Sequence, residues 1–494
     1  MDRPNFVFVM VDTQDTRLVG AYGNKAVGTP CLDALAGEGV TFGRAYTSCP
    51  VCTPARAGIF TGLTPHAAGA WTNLYGLYDY VKTMGQRFRD AGYDTAYVGK
   101  WHLAGHDYFD TGICPPGWDD EYWYDGRRYL EELGDDGRRL WRTGLNSLAD
   151  LRKHAITAGF TWAHRCGDRA ERFLARKRDR PFLLVVSYDE PHHPYTCPPE
   201  FAEQFIDFRL PVGPSWNEDL SRKPVHLREW ASEYEGFPAP GGFARDPLYF
   251  GCNSFVDSEI GRVVEAARAG SGNTWLIYTS DHGDMLGAHH IRNKGPAAYD
   301  EIARIPLIIR GPGVAAGSRN DSVVSHLDVM PTMLELAGLP VPPALLGRPF
   351  ADLLRGGHRD LGRSAFIEYH RYEADHDHYG AYQPLRCLVH WPWKLVVNLL
   401  DSDELYNLTD DPYEMNNLID SPGHAPDRDR LHDALLDWMD RERDPWRGSW
   451  WARRSWRDLK RHNWKGKTRF NPADGYRPDF IDYDTGFPPP ARNG

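Results

Sequence analysis

Residues 5–11 read Asn-Phe-Val-Phe-Val-Met-Val, apolar on odd and even positions alike after the asparagine, and Asp12 closes the run. A strand apolar on both faces must be covered on both, which is the situation of a parallel sheet between two helical layers. The same texture returns at residues 93–98, 182–187, 274–280 and 305–310. Between and after these runs lie helical spacings: Leu32, Leu35 and Ala36 behind Thr29-Pro30, residues 255–267, and residues 328–337 stopped by Gly338. Alternating strands and helices predict an α/β fold, a doubly wound, mostly parallel sheet with helices on both faces, whose ligands bind at the carboxyl ends of the strands. Two of the predicted strands end in polar clusters there, Asp12-Thr13-Gln14-Asp15 and Ser280-Asp281-His282-Gly283-Asp284.

Past residue 365 the texture changes. Short strand-like pieces at 385–390 and 394–399 precede an Asp-Asp-Pro turn and a helical stretch at 427–440. Residues 1–365 are therefore expected to form the catalytic α/β domain, 366–440 a smaller C-terminal α+β subdomain, and 441–494 an extension. That extension is basic, with eleven Lys/Arg against three Asp/Glu between residues 441 and 470, interleaved with Trp446, Trp450, Trp451, Trp456 and Trp464. The whole chain carries −11, which leaves about −19 on the remainder, so neither nucleic acid nor an anionic membrane is an expected partner. Packing of the tail on its own body or on a second copy in a homo-oligomer comes first, and a cover over a sugar or polyanionic substrate next. No apolar run reaches membrane length. Met1 leads directly into the first strand, leaving no room for a signal peptide, so a soluble, cytoplasmic protein is expected. Eight scattered cysteines do not make a disulfide scaffold.

Cys49-Pro-Val-Cys52-Thr-Pro-Ala-Arg56 opens the chemistry. Cys49-x-x-Cys52 alone would suit a redox pair or half a zinc site, but no second such pair accompanies it. Taken as Cys52-x-Pro54-x-Arg56 with Thr61-Gly62 behind, it is a helix start carrying a cysteine and an arginine one turn in, a place suited to negative charge. Further along stand Gly99-Lys100-Trp101-His102, Pro191-His192-His193-Pro194-Tyr195, the Asp281 cluster, Asn293-Lys294-Gly295, and residues 404–408 with Asp411-Pro412. In this order, over residues 5–420, the blocks resemble the type I sulfatases of the alkaline phosphatase superfamily. In that family the cysteine is oxidised to formylglycine by a separate maturation enzyme.

The resemblance implies a sulfuric ester hydrolase acting on a sulfated carbohydrate or an aryl or alkyl sulfate through a hydrated formylglycine made from Cys52. It also implies a divalent metal, Ca²⁺ first and Mg²⁺ or Mn²⁺ as alternatives, held by Asp12, Asp281, His282 and the oxygen of residue 52. Arg56, Lys100 and Lys294 would supply fixed positive charge, with Lys100, His102 and Lys294 at the sulfate. His192 would give the leaving group its proton, with His193 beside it as reserve and substrate contact. Asn73 would touch the sulfate from the loop after the nucleophile. These residue types suit sulfate ester cleavage, because a shielded sulfur centre needs concentrated positive charge, a hard cation and an oxygen nucleophile, for which a thiol is a soft mismatch. Two departures stand out. Thr13, Gln14 and Asp15 occupy the place of the family's frequent second acidic ligand, and His282 stands where many members have asparagine. A phosphonate or phosphate ester hydrolase on the same scaffold is the alternative activity, disfavoured by Lys100 and His102. A noncatalytic binder of the same fold is disfavoured by the completeness of the set. His289 and His290 are expected to be structural. Polar and aromatic residues at 368–379 suggest the wall of a sugar-sized pocket.

Overall fold

The computed structural model describes residues 3–105, 107–234, 241–270, 272–357, 359–360, 362–373, 382–458 and 487. Its main sheet contains β1 (Asn5–Val11), β2 (Val40–Tyr46), β3 (Asp94–Gly99), β4 (Phe182–Ser187), β5 (Thr274–Ser280), β6 (Leu307–Arg310) and β7 (Ser318–Ser325), in the spatial order β7-β2-β6-β5-β1-β4-β3. The pairs β1 with β4, β1 with β5, β3 with β4 and β2 with β7 are parallel. The expected single strand at 305–310 is corrected to two pieces, Arg304–Ile305 and β6, because Pro306 has no N–H for the ladder. Both pieces run antiparallel to β2.

Five helices matter for the layers: α1 (Pro30–Glu38), α2 (Cys52–Thr61), α3 (Trp162–Leu174), α4 (Pro247–Arg268) and α5 (Val329–Leu336). The two-faced run of β1 sorts between them. Phe6, Phe8 and Met10 join Ile59 and Phe60 of α2 and Met330 and Met333 of α5 in one core. Val7, Val9 and Val11 meet Leu32 and Leu35 of α1, Cys166 of α3 and Val256, Ile260 and Val263 of α4 in the other. Each such side chain, once fully buried, contributes about 1.5–3 kcal/mol. The doubly wound sheet with two helical layers is as the sequence predicts.

A second, antiparallel sheet follows: β8 (Ala365–Tyr369), β9 (Leu385–His390), β10 (Trp393–Asn398) and β11 (Glu404–Asn407). One of its faces shares a core with the body, Ile367, Tyr369, Cys387 and Val396 joining Tyr46, Val51, Tyr299 and Ile302. The other is covered by α6 (Ala425–Arg441), whose Leu431, Leu435 and Met439 meet Leu388, Leu395, Leu405 and the tail's Trp451. Of the roles considered for the basic tail, residues 441–458 adopt packing on their own body. Asp444 binds the buried Arg386 at 2.7 Å, Arg454 binds Asp403 at 2.7 Å, and the indole of Trp456 donates to Asp403 at 2.8 Å. Trp464 and residues 374–379 of the expected pocket wall lie outside the described residues. No helix among the described residues is long and apolar enough to cross a membrane.

Candidate active site

Four strand ends and one helix start converge. Asp12 follows β1, Lys100 follows β3, Asp189 follows β4 by two residues, Asp281 and His282 follow β5, and Cys52 is the first residue of α2. All ten residues of α2 are buried, and Gly62 ends it in the left-handed conformation at φ 65°. The N-cap residue, Val51, offers no side-chain hydrogen bond, so another segment supplies one: Asn73 Oδ1 accepts from the Thr53 N–H at 3.1 Å. Thr53 Oγ1 donates to the His102 carbonyl at 2.9 Å, tying the helix to the third expected block. Gly99 is required at the end of β3. Its φ is 111°, and a Cβ there would lie 1.8 Å from the Ser187 carbonyl oxygen.

Arg56, one turn into α2 and fully buried, spans the two metal-ligand candidates. Its Nη2 is 3.1 Å from Asp12 Oδ2 and its Nε 3.1 Å from Asp281 Oδ2, while Nη1 donates to the Lys100 carbonyl at 2.7 Å and to Ser187 Oγ at 2.9 Å. Holding both Oδ2 atoms turns the two Oδ1 atoms toward Cys52 and His282. Cys52 Sγ lies 3.7 Å from Asp12 Oδ1 and 3.3 Å from His282 Nε2, which is itself 3.7 Å from Asp12 Oδ1 and from Asp281 Oδ1. The ligand atoms of Asp12, Cys52, Asp281 and His282 all fall within 4.8 Å of one another, so four groups able to hold a metal meet here. His282 Nδ1–H donates to the Gly283 carbonyl at 2.9 Å, which leaves Nε2 as the bare nitrogen facing the cluster.

Of the three residues left open after Asp12, only the Thr13 side chain enters the cluster. Its hydroxyl donates to Asp12 Oδ1 at 2.7 Å, on a backbone with φ 64°. Gln14 turns away to Asn253 and Tyr278, and Asp15 binds Arg17. Cys49 is buried apart from this donor set, and all eight cysteines are free, so a redox pair with Cys52 is not formed. His289 is buried, bound to Glu218 and stacked on Tyr299 at 3.9 Å, a packed residue away from the metal-ligand cluster.

The charges divide in a consistent way. Burial alone would raise the Asp12 carboxyl, but Lys100, His192, Lys294 and Arg56 outweigh it and hold its pKa well below the usual range. Asp281 goes the other way, pushed up to about 7 by burial and then by Asp12. Of the two carboxyls, Asp281 is thus the one that takes up a proton first as the pH falls. Lys100 Nζ donates to Tyr108 Oη at 2.6 Å and is ion-paired with Asp12 Oδ2 at 2.7 Å and with Asp189 Oδ1 at 3.0 Å. Burial pulls its ammonium down, and Asp12 and Asp189 more than restore it. Lys294 Nζ stands 3.5 Å from Thr13 Oγ1 and 3.9 Å from Asp12 Oδ1. His102 is buried and neutral, since burial and then Lys100 lower its pKa well below the usual value. His192 is half-buried, its Nδ1–H donating to the His193 carbonyl at 2.7 Å, and burial, Lys294 and Lys100 lower it. His193 itself is exposed, its ring set edge-on to Tyr195 at 5.4 Å.

Sequence reasoning missed Tyr108 and Asp189. The phenol of Tyr108 donates to Asp189 Oδ1 and stands 3.0 Å from His192 Nδ1. Burial, then Asp189 and Asp12, hold it well above the ordinary tyrosine pKa, so it remains a donor. Asp189 was open to the same strand-end logic that picked out Asp12 and Asp281. Tyr108 sits in a loop with no periodicity to mark it.

The family model for sulfatases matches residues 4–339, and one for the N-sulphoglucosamine sulphohydrolase C-terminal region matches residues 287–441. The chain is 50% identical over 493 residues to the uncharacterized sulfatase YidJ of Escherichia coli (strain K12), covering 99% of this chain and 97% of that one. It is 26% identical over 513 residues to an N-acetylglucosamine-6-O-sulfatase of Bacteroides thetaiotaomicron, covering 90% and 87%. In fold it resembles the crystal structure of a phosphonate monoester hydrolase of Agrobacterium radiobacter, with TM-score 0.72, 23% identity, and coverage of 89% of this chain and 96% of that one. All five converging segments, from the Asp12 strand end to Asp281 and His282, lie inside the matched 4–339, and the chain is a sulfatase, a member of that family of hydrolases.

Proposed function

We propose that this sulfatase hydrolyses a sulfate monoester of a sugar or another alcohol at a formylglycine derived from Cys52, with a hard divalent cation in the Asp12–Asp281–His282 cluster. The observation that supports this most is the position of Cys52, a side chain at the start of a buried helix among two carboxylate oxygens and a bare imidazole nitrogen. The donor set fits such a cation: the two Oδ1 atoms and the Thr13 hydroxyl are the hard oxygens that Ca²⁺, Mg²⁺ or Mn²⁺ prefers, His282 is softer, and the thiol is the one mismatch, which an oxygen at residue 52 would remove. When bound, the cation would supply positive charge to the sulfate oxygens and to the nucleophile. The hydrated aldehyde would supply one hydroxyl for attack at sulfur and a second whose deprotonation releases the sulfate.

The remaining work falls to the side chains. Lys100 and Lys294 hold their charge where sulfate oxygens would lie, and Asn73 stands beside the helix start from the loop. Arg56 acts behind them, fixing the ligand carboxylates. In the free site burial, then Lys294 and Lys100, disfavour the His192 imidazolium, and a bound sulfate ester would offset the two lysine charges and favour a proton on His192 Nε2 for the leaving group. A sulfated sugar is the substrate class proposed first, in keeping with the named activity of the Bacteroides relative. The maturation enzyme is the partner this chemistry requires. Parallel kinetics on an aryl sulfate and the matching aryl phosphonate test the activity. A kcat/KM for the phosphonate above that for the sulfate would transfer the site to the alternative ester class.

Metal binding should titrate with Asp281. Its pKa of about 7 in the metal-free fold lies above the unfolded value near 3.8, so below pH 7 a proton competes with the cation. Calorimetric titration with Ca²⁺ or Mn²⁺ is expected to show affinity falling by up to about tenfold per unit from pH 7 to 5 and levelling off above 7, with proton release on the acid side. Affinity independent of pH over that range would remove Asp281 as a ligand.

A further inference from the structure

Lys100 and His192 meet through one phenol. Tyr108 Oη accepts from Lys100 Nζ at 2.6 Å, lies 3.0 Å from His192 Nδ1 and donates to Asp189 Oδ1. Its ring is set edge-on to His102 at 5.1 Å and tilted against His192 at 5.4 Å, with Lys100 Nζ 3.8 Å from its centroid. Tyr108 thus touches three of the side chains expected to face the sulfate and the leaving oxygen.

The hydrogens around Tyr108 can be assigned. The His193 carbonyl only accepts, so His192 Nδ1 carries the hydrogen it receives at 2.7 Å. An ammonium only donates, so Lys100 gives a hydrogen to Tyr108 Oη, while its charge is paired with Asp12 Oδ2 at 2.7 Å and Asp189 Oδ1 at 3.0 Å. The phenol then accepts from Lys100 and is within reach of the His192 Nδ1–H, and its own proton goes to Asp189. His192 Nε2 is the ring nitrogen this network leaves to the substrate.

We propose that Tyr108, held by Asp189, is the positioning residue that aims His192 Nε2 at the leaving oxygen. The proposal rests on the reading of His192 as the leaving-group proton donor. As the S–O bond to the alcohol breaks, its electron pair goes to the leaving oxygen, which takes the proton from His192 Nε2. The imidazole that remains is the Nδ1–H tautomer already held by the His193 carbonyl and Tyr108, so no ring flip or second proton shift accompanies the transfer. Solvent reprotonates Nε2 after the alcohol departs.

Tyr108→Phe keeps the ring against His102 and His192 and removes only the hydroxyl. On a sulfated sugar or alkyl sulfate, whose alkoxide needs a proton, kcat should fall about 10- to 100-fold with KM changed less than about threefold. On nitrophenyl sulfate, whose phenolate leaves unaided, the loss should stay below about threefold. His192→Ala should show the same selectivity more strongly, and the double variant should be no slower than His192→Ala alone. Asp189→Asn carries the same expectation and serves as the readout if Tyr108→Phe does not fold. Equal losses on both substrates, no loss on either, or an additive double variant overturns the assignment. A steep leaving-group dependence in His192→Ala beside a flat one in Tyr108→Phe removes Tyr108 alone. A flat dependence in His192→Ala removes His192 as the proton donor, and the Tyr108 proposal falls with it.

Discussion

Cys52→Ala is expected to lower turnover of any sulfate ester by about 10⁴-fold or more, with the fold retained and the unfolding free energy changed by about 1 kcal/mol. The residue is 1% exposed at the start of α2, so an alanine there leaves the helix, its Asn73 hydrogen bond and the Asp12–Asp281 cluster in place while removing the atom that lies against Asp12 and His282. The wild-type protein carries the sharper form of the same prediction. A thiol has neither a hard oxygen nor a second hydroxyl to expel sulfate, so activity should scale with the fraction of formylglycine in the peptide containing residue 52, measured by mass spectrometry with and without a co-expressed maturation enzyme. Full activity in a preparation carrying only free cysteine at residue 52 would falsify the mechanism.

Arg56→Met should cost about 3–5 kcal/mol of stability in metal-free protein. The guanidinium is fully buried and is the shared partner of two buried carboxylates, so its loss leaves Asp12 and Asp281 facing each other across an apolar stem. A divalent cation offers the same compensation from the other side of the two carboxylates, so saturating Ca²⁺ or Mn²⁺ should recover more stability in the variant than in the wild type. Urea unfolding with chelator and with metal gives both numbers. A loss under about 1 kcal/mol without metal would mean that Arg56 is not the group that offsets the burial of Asp12 and Asp281.

The strands that could be seen in the sequence are those buried on both faces. β1, β4 and β5 appear with their observed bounds because nothing in them needs to reach water. β7 reads Ser-Arg-Asn-Asp-Ser-Val-Val-Ser and lies at the sheet edge, where one side of the ladder is open to polar neighbours, so no apolar run marks it. β8 hides for a different reason: it carries Glu368, which is buried only because the His66 imidazole at 2.7 Å and the Arg386 guanidinium at 3.8 Å compensate it from other parts of the chain. The direction of β6 is absent from its composition, since an antiparallel strand buried on both faces reads the same as a parallel one. In the site, the order of the blocks brought Cys52, Arg56, Lys100, His192, Asp281 and Lys294 forward together. Side-chain direction was needed to separate Thr13 from Gln14 and Asp15. It was also needed to show that the Asn73 carbonyl oxygen is committed to the helix start and that His193 points to solvent.

The burial of Cys52 also sets a clock. The thiol sits under the ends of β1 and β5, and His282, which closes over it at 3.3 Å, lies 230 residues further along the chain. At about 5–20 residues per second, synthesis of that interval takes about 10–50 s, during which residue 52 has left the ribosome but its lid does not yet exist. On the proposed mechanism, modification after the sheet has closed would require unfolding the strand pairs that link β1 to β5, so the active fraction would be decided by a race between the maturation enzyme and folding. Overexpression should lower that fraction by outrunning the modifier, and slowed elongation should raise it, with the share of the protein that is folded unchanged.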